Sequence, residues 1–208
     1  MLHFHGHSSA ASGAPDNSAA MRLSGRGERA ALVVGERTFL RRGRDRDATE
    51  FTDLMRASYE LHQPWSFPPT EPADFRALVE RGRGDDFELL LLCRRGDDAI
   101  LGFFNLSQIF RGPFLNAYLG YAVGQPYAGQ GYMSEGIQLL LRHAFDGLKL
   151  HRLEANIQPS NAASIALAKR AGFRLEGFSP RYLKIDGHWR DHERWAIVAE
   201  DRQRAAGA

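Results

Sequence analysis

Hydrophobic and polar positions fall into regular patterns only from residue 31 onward. Ala31–Val34 and Thr38–Arg42 read as short strands, and Asp47–Glu60 and Glu71–Arg81 as helices flanking the proline-rich segment Gln63–Pro72. Phe87–Arg94 and Ala99–Phe110 read as strands joined by a hairpin turn at Gly96-Asp97-Asp98, and Leu115–Val123 as a further strand. The clearest helix follows. Met133, Ile137, Leu140, Leu141, Ala144 and Phe145 recur at spacings of three and four, which puts them on one face, and Gly147 marks the stop. Arg152–Ile157 is a strand. A second helix spans Ser160–Ala171, with Ser160 or Asn161 as its cap and Gly172 just past its end. Phe173–Ile185 and His188–Val198 form a long hairpin around Asp186-Gly187. Strands first, then β-α-β-α-β, then a hairpin, predict an α+β fold with one mixed sheet flanked by helices. No internal repeat is visible.

Composition adds bounds to this picture. A chain of 208 residues with 43% hydrophobic content makes one globular domain with a substantial core. Residues 1–28 are rich in Ser, Gly, Ala and His without periodicity and read as a flexible head, leaving a domain over 29–202 and a tail over 203–208. Met21 is an alternative start. His3, His5 and His7 could hold a copper or nickel ion with the terminal amine, but solvated histidines are the favoured reading, and no metal is expected. The longest apolar run, Leu89–Cys93, is far short of the roughly 20 residues of a membrane span. With no secretory signal pattern, and a single cysteine inside that apolar strand, the expected location is the cytoplasm. A net charge of +2 does not imply nucleic-acid binding. Arg37, Arg41, Arg42, Arg44 and Arg46 could form a basic patch, or a solvated strand end with Asp45 and Asp47 interleaved, and the second is preferred.

The chemistry concentrates where Leu115–Val123 hands over to the first long helix, through Gly124-Gln125-Pro126-Tyr127-Ala128-Gly129-Gln130-Gly131-Tyr132-Met133. Glycines at 129 and 131 let amides turn inward, and the helix behind them offers free N–H groups and the positive end of its dipole. That is a site for phosphate or pyrophosphate. A P-loop would need Lys and Ser or Thr after the glycines, where Tyr132-Met133 stands. A dinucleotide fold would need a third glycine two residues before Gly136 and an acid near the end of the next strand, where Asn156 lies. A glycine turn that merely starts a helix is the bland alternative.

Four stretches together resemble a known family. Ala117-Tyr118-Leu119-Gly120-Tyr121-Ala122-Val123, the Tyr127–Met133 turn, Asn161-Ala162-Ala163-Ser164 running to Ala171-Gly172-Phe173, and Asp186-Gly187-His188-Trp189-Arg190-Asp191 occur in the order and spacing of the GNAT acyltransferases. Within them the chain resembles the RimJ/RimL group, which acetylates protein N-termini, chiefly of ribosomal proteins; the segment Tyr182–His192 leans toward RimJ. The resemblance covers roughly residues 37–200. It implies a GNAT fold in which two parallel strands, here Leu115–Val123 and Arg152–Ile157, splay apart. Acetyl-CoA is the implied cosubstrate, with its pantetheine arm along the backbone of Leu119–Val123. Its pyrophosphate would lie on the turn formed by Tyr127, Ala128, Gly129, Gln130, Gly131, Tyr132 and Met133, with Asn156, Asn161 and Ser164 beside the arm. Pro126 stands where the family turn often opens with Arg or Gln, a departure that backbone binding tolerates.

For the reaction, a backbone N–H near Tyr121–Ala122 is the expected contact of the thioester carbonyl. The tyrosine that many relatives place four residues before the helix-end glycine is replaced by Ala168. The RimJ/RimL group points instead to Ser164 as the proton donor to the thiolate; the ordinary alternatives are a first-turn serine and, for Asn161, a helix cap. The general base is open between Tyr182, Asp186 and a water chain, because Leu183 stands where related enzymes carry a glutamate. Leu61-His62-Gln63-Pro64-Trp65 resembles the acceptor wall of the group, with Trp65, Tyr182 and Trp189 as candidate substrate contacts or plain packing. The acceptor implied is a protein or peptide N-terminus, such as that of a ribosomal protein, with no nucleic-acid or membrane partner and a monomer or homodimer as the assembly. A small amine such as a polyamine or aminoglycoside, or a non-catalytic CoA-binding regulator, is the alternative.

Overall fold

The computed structural model describes residues 27–206. His3, His5, His7 and Met21 lie outside them. Eight strands form one sheet: β1 (Val33–Val34), β2 (Thr38–Arg42), β3 (Phe87–Arg94), β4 (Ile100–Ser107), β5 (Asn116–Val123), β6 (Arg152–Ile157), β7 (Arg174–Ile185) and β8 (His188–Val198). Their spatial order is β1-β2-β3-β4-β5-β6-β8-β7, and every pairing is antiparallel except that of β5 with β6. The helices are α1 (Ala48–Ala57), α2 (Tyr59–His62), α3 (Pro72–Arg81), α4 (Tyr132–Arg142), α5 (Ala162–Arg170) and α6 (Ala199–Ala206).

β3 is apolar at almost every position because helices cover both of its faces. Leu90 and Leu92 face α4 and α5 together with Phe104, Ile137, Leu140 and Leu141. Leu89, Leu91 and Cys93 face the opposite side with Phe51, Met55, Phe75 and Phe103. There the Phe51 ring stacks tilted on Phe75 at 4.5 Å and meets Phe103 edge-on at 5.3 Å. Burial pushes the Cys93 thiol up to about 12, so it is an inert core group. The arginine cluster resolves mainly into ion pairs: Arg41 makes a buried fork on Asp47 at 2.6 and 3.0 Å, and Arg42 meets Glu88.

Two local departures from the sequence reading matter for the site. The helix expected over Asp47–Glu60 breaks after Ala57, because the Ser58 hydroxyl turns back onto the Leu54 carbonyl at 2.6 Å. The same oxygen accepts from the Gln125 amide at 2.8 Å, tying the break to the glycine turn. The short α2 then carries His62 to the end of β5. Further on, α4 closes in a π-turn over His143–Gly147, where buried His143 Nε2 meets Glu88 Oε2 at 2.7 Å.

The parallel pair is short. Asn116, Ala117 and Tyr118 pair with Arg152, Leu153 and Glu154, and beyond them the strands part. β5 stays on β4 as far as Val123, while β6 stays on β8 as far as Ile157. A wedge therefore opens in the middle of the sheet.

Candidate active site

The open half of β5 offers unused backbone. Gly124 N–H donates to Leu101 O at 2.8 Å on the β4 side, so strand alternation turns Tyr121 and Val123 toward the wedge. The Val123 carbonyl is already taken by buried His62, whose Nε2–H donates to it at 2.9 Å. Burial depresses the His62 pKa against the opposing effect of that bond, so the ring is neutral. The N–H and C=O of Tyr121 remain for an incoming partner.

The glycine turn completes one end of the wedge. Gly129 and Gly131 adopt φ of 74° and 81°, a left-handed backbone that side chains resist. Tyr127 and Ala128 amides close a 3-10 turn on Gly124 and Gln125. The amides of Gly129, Gln130, Gly131, Tyr132, Met133 and Ser134 find no acceptor among the described residues, and Glu135 is the first to bond back, to Gly131 O at 3.1 Å. Six consecutive free donors at the positive end of α4 make an anion cradle. Arg37 braces it from outside: its Nη1 donates to Gln130 O at 3.2 Å, its Nε to Glu135 at 3.2 Å, and its guanidinium lies 4.7 Å over the Tyr132 ring.

The opposite wall is α5. Asn161 caps it, its Oδ1 accepting from Ser164 N at 3.1 Å. Tyr121 Oη reaches the Ser164 carbonyl at 3.4 Å, and burial holds this phenol above its usual pKa and so protonated. Between β5, the turn and α5 lies a cavity of about 570 Å³ with a mainly apolar lining. Exposed Arg170, in the last turn of α5, adds a cation to it.

A second cavity of about 140 Å³ lies against the first. The two share Trp65, Ser66, Tyr121, Asn161 and Ser164. The wall between α2 and α3 is fixed to the wedge by Trp65 Nε1 donating to Ser160 Oγ and Gln158 Nε2 donating to the Trp65 carbonyl, each at 3.2 Å. The second cavity is also lined by Asn156 and by buried His192 of β8.

Residues 37–174 match the model of the acetyltransferase (GNAT) domain. The chain belongs to the GNAT acetyltransferase family. The ribosomal protein uS5-alanine N-acetyltransferase of Escherichia coli is 32% identical over 81% of this chain and 91% of that one. The probable N-acetyltransferase YjcK of Bacillus subtilis is 40% identical over half of this chain, a match that spans 58% of that relative's length. RimJ of Mycobacterium smegmatis, solved with CoA-disulfide, superposes with a TM-score of 0.73 at 29% identity, covering 82% of this chain and 89% of that one. The protein is thus an acetyl-CoA-dependent N-acetyltransferase of the RimJ type.

The GNAT cavities fit that chemistry. The cradle amides suit a pyrophosphate, and the apolar 570 Å³ channel along β5 suits a pantetheine arm bonding to Tyr121 as a neighbouring strand would. Most of the residues expected from the sequence meet there: Tyr121, Val123, Tyr127, Ala128, Gly129, Gly131, Met133, Asn161 and Ser164, with Trp65 on the wall. Leu119 and Asn156 lie instead on the second cavity. Gln130 and Tyr132 give backbone to the turn while their side chains turn away, Gln130 Nε2 to Pro126 O at 2.6 Å and Tyr132 under Arg37. Tyr182 stands behind the second cavity, its ring 6.0 Å from that of His192. Trp189, 61% exposed near the tip of the β7–β8 hairpin, lines neither cavity.

Gln158, Arg170 and His192 were given no role by sequence reasoning, and His62 only a place in the acceptor-wall segment 61–65. For His62 and Gln158 no local pattern announces the role, since it depends on where the wall segment lands. Arg170 had a signal in its place, two residues before the helix-end glycine and on the last turn of a helix facing an anion site. His192 had none: strand alternation puts it on the face of exposed Arg194 and opposite to core Trp195, so it reads as a surface position, yet it is buried.

Proposed function

We propose that this GNAT enzyme acetylates the α-amine of a protein N-terminus, such as that of a ribosomal protein, in the cytoplasm. One observation carries the reading. The second cavity, which shares Ser164 with the cofactor channel, is small, and among the described residues no carboxylate lines it. A polyamine or aminoglycoside carries several positive charges and calls for acidic walls. A chain end carries one amine on a slim backbone, and the amide groups of Asn156 and Gln158 offer that backbone hydrogen-bond partners. The E. coli relative named for acting on the alanine of uS5 supports the same acceptor class.

In this reading the Tyr121 N–H polarises the thioester carbonyl from the wedge. Asn161 and the α5 N-terminus hold the arm, and Ser164 Oγ passes a proton to the departing sulfur. The amine enters through the second cavity and meets the carbonyl beside Ser164 with no covalent enzyme intermediate. Thiol release from acetyl-CoA, followed with a panel of free-ended peptides, polyamines and aminoglycosides, tests the assignment. Peptides starting with Ala or Ser should turn over best; preference for polyamines or aminoglycosides would overturn it.

A further inference from the structure

The N-terminal reading leaves the deprotonation of the incoming amine without an owner, and the second cavity supplies one. We propose that His192 is the general base, its Nε2 taking the proton from the acceptor ammonium group.

The geometry rests on three observations. His192 is 3% exposed and lines the second cavity, which shares Ser164 and Tyr121 with the channel. Its Nδ1 lies 3.0 Å from the Arg190 carbonyl, which can only accept, so Nδ1 carries the proton and Nε2 presents a lone pair. Among the described residues nothing else bonds to Nε2. Among the described residues the cavity is lined by one other titratable side chain, the phenol of Tyr121, which burial keeps protonated and unable to act as a base.

The surroundings keep this imidazole ready. Tyr182 of β7 packs against the ring, β6 presents the neutral Asn156, and α5 presents Ser164. Asp191, the charged neighbour on its own strand, is engaged by the Arg181 amide at 2.7 Å and pulls the pKa up only in part. Burial dominates and sets the pKa below the ordinary histidine value, so the ring is neutral at neutral pH. Asp186, by contrast, lies at the hairpin turn and lines neither cavity.

The step balances. An ammonium proton passes to Nε2, giving an imidazolium; the freed nitrogen pair forms the N–C bond as the C–S bond breaks. The second nitrogen proton replaces the one that Ser164 delivers to the thiolate, and the imidazolium later releases its proton to water.

The experiment rests on the N-terminal reading and separates its failure from that of the base. With saturating acetyl-CoA and an alanine-starting peptide, the wild-type kcat should level off above an acidic limb lying below about pH 6.5. His192→Gln should lower kcat near neutral pH by about 10²-fold, leave the acetyl-CoA affinity measured by calorimetry unchanged, and shift the limb up to the amine's own pKa near about 8. If the variant does not fold, the wild-type profile decides alone, since a limb near about 8 in the wild type contradicts the proposal. A folded variant with the wild-type kcat and limb overturns it. A wild-type enzyme that acetylates polyamines and ignores the peptide overturns the N-terminal reading, and the base role with it.

Discussion

Asn161 Oδ1 holds the amide of Ser164 at 3.1 Å, so the residue that caps α5 also sets where the serine hydroxyl stands. Helix capping and cofactor positioning, which the sequence offered as alternatives for Asn161, are compatible in one side chain. Its carbonyl oxygen is spent on the cap, while its amide nitrogen remains for the arm. Asn161→Ala should cost about 1 kcal/mol of stability from the lost cap. It should also raise the KM for acetyl-CoA, and a thermal melt with steady-state kinetics would read both. A melt shift without any kinetic change would reduce Asn161 to a cap.

Ser164→Ala tests the proton donor at the junction of the two cavities. General acid catalysis contributes about 10²–10⁴-fold, so kcat should fall by at least the lower figure while the KM for acetyl-CoA changes little. Unchanged kcat would show that a water, or the Tyr121 phenol close by, delivers the proton.

At Gly131 the left-handed φ of 81° and the close Arg37 guanidinium, 3.3 Å from where a Cβ would stand, both resist a side chain. Gly131→Val should cost about 1–3 kcal/mol of stability through backbone strain. It should also weaken acetyl-CoA binding severely, because the cradle amides no longer converge. Calorimetric titration of the folded variant would measure this, and wild-type affinity would remove the turn from the cofactor site.

Stability should fall as pH drops just below the ordinary histidine range. Burial lowers the folded-state pKa of both His62 and His192, so the unfolded chain binds more protons there. Stability is therefore fully present above about pH 6.5 and is lost as pH falls from that value through the depressed folded-state pKa values. His62→Gln, which keeps a donor for the Val123 carbonyl, should flatten part of this slope in melts across the window. A wild-type midpoint that does not change there would contradict the burial argument.

Much of this site was legible because its binding groups are backbone. Gly129 and Gly131 declare a turn, Ser160–Ala171 declares a capped helix, and strand–turn–helix order places one beside the other. β6 was readable to the residue because its alternation is clean, and β8 because the Asp186-Gly187 turn marks where it starts. The break at Ser58 was not, since the periodicity of Asp47–Glu60 is sound and the kink depends on the Ser58 hydroxyl, which bonds back to Leu54 and takes the tertiary Gln125 amide. Trp189 illustrates the converse: its motif is legible, but a hairpin longer than the sheet carries it away from the cavities. His192 lay hidden because its cavity exists only where β6 ends and β8 continues.

The central claim is a cleft built for a chain end, and one peptide carrying both a free N-terminal alanine and an internal lysine tests it most directly. At neutral pH the α-amine, with a pKa of about 8 against about 10.4 for lysine, is far more available as a nucleophile, and the small second cavity at Ser164 suits its approach. After incubation with acetyl-CoA, fragment-ion mass spectrometry should find the acetyl group on the alanine nitrogen and the lysine unmodified. Acetylation of the lysine with a free alanine left behind would contradict the account.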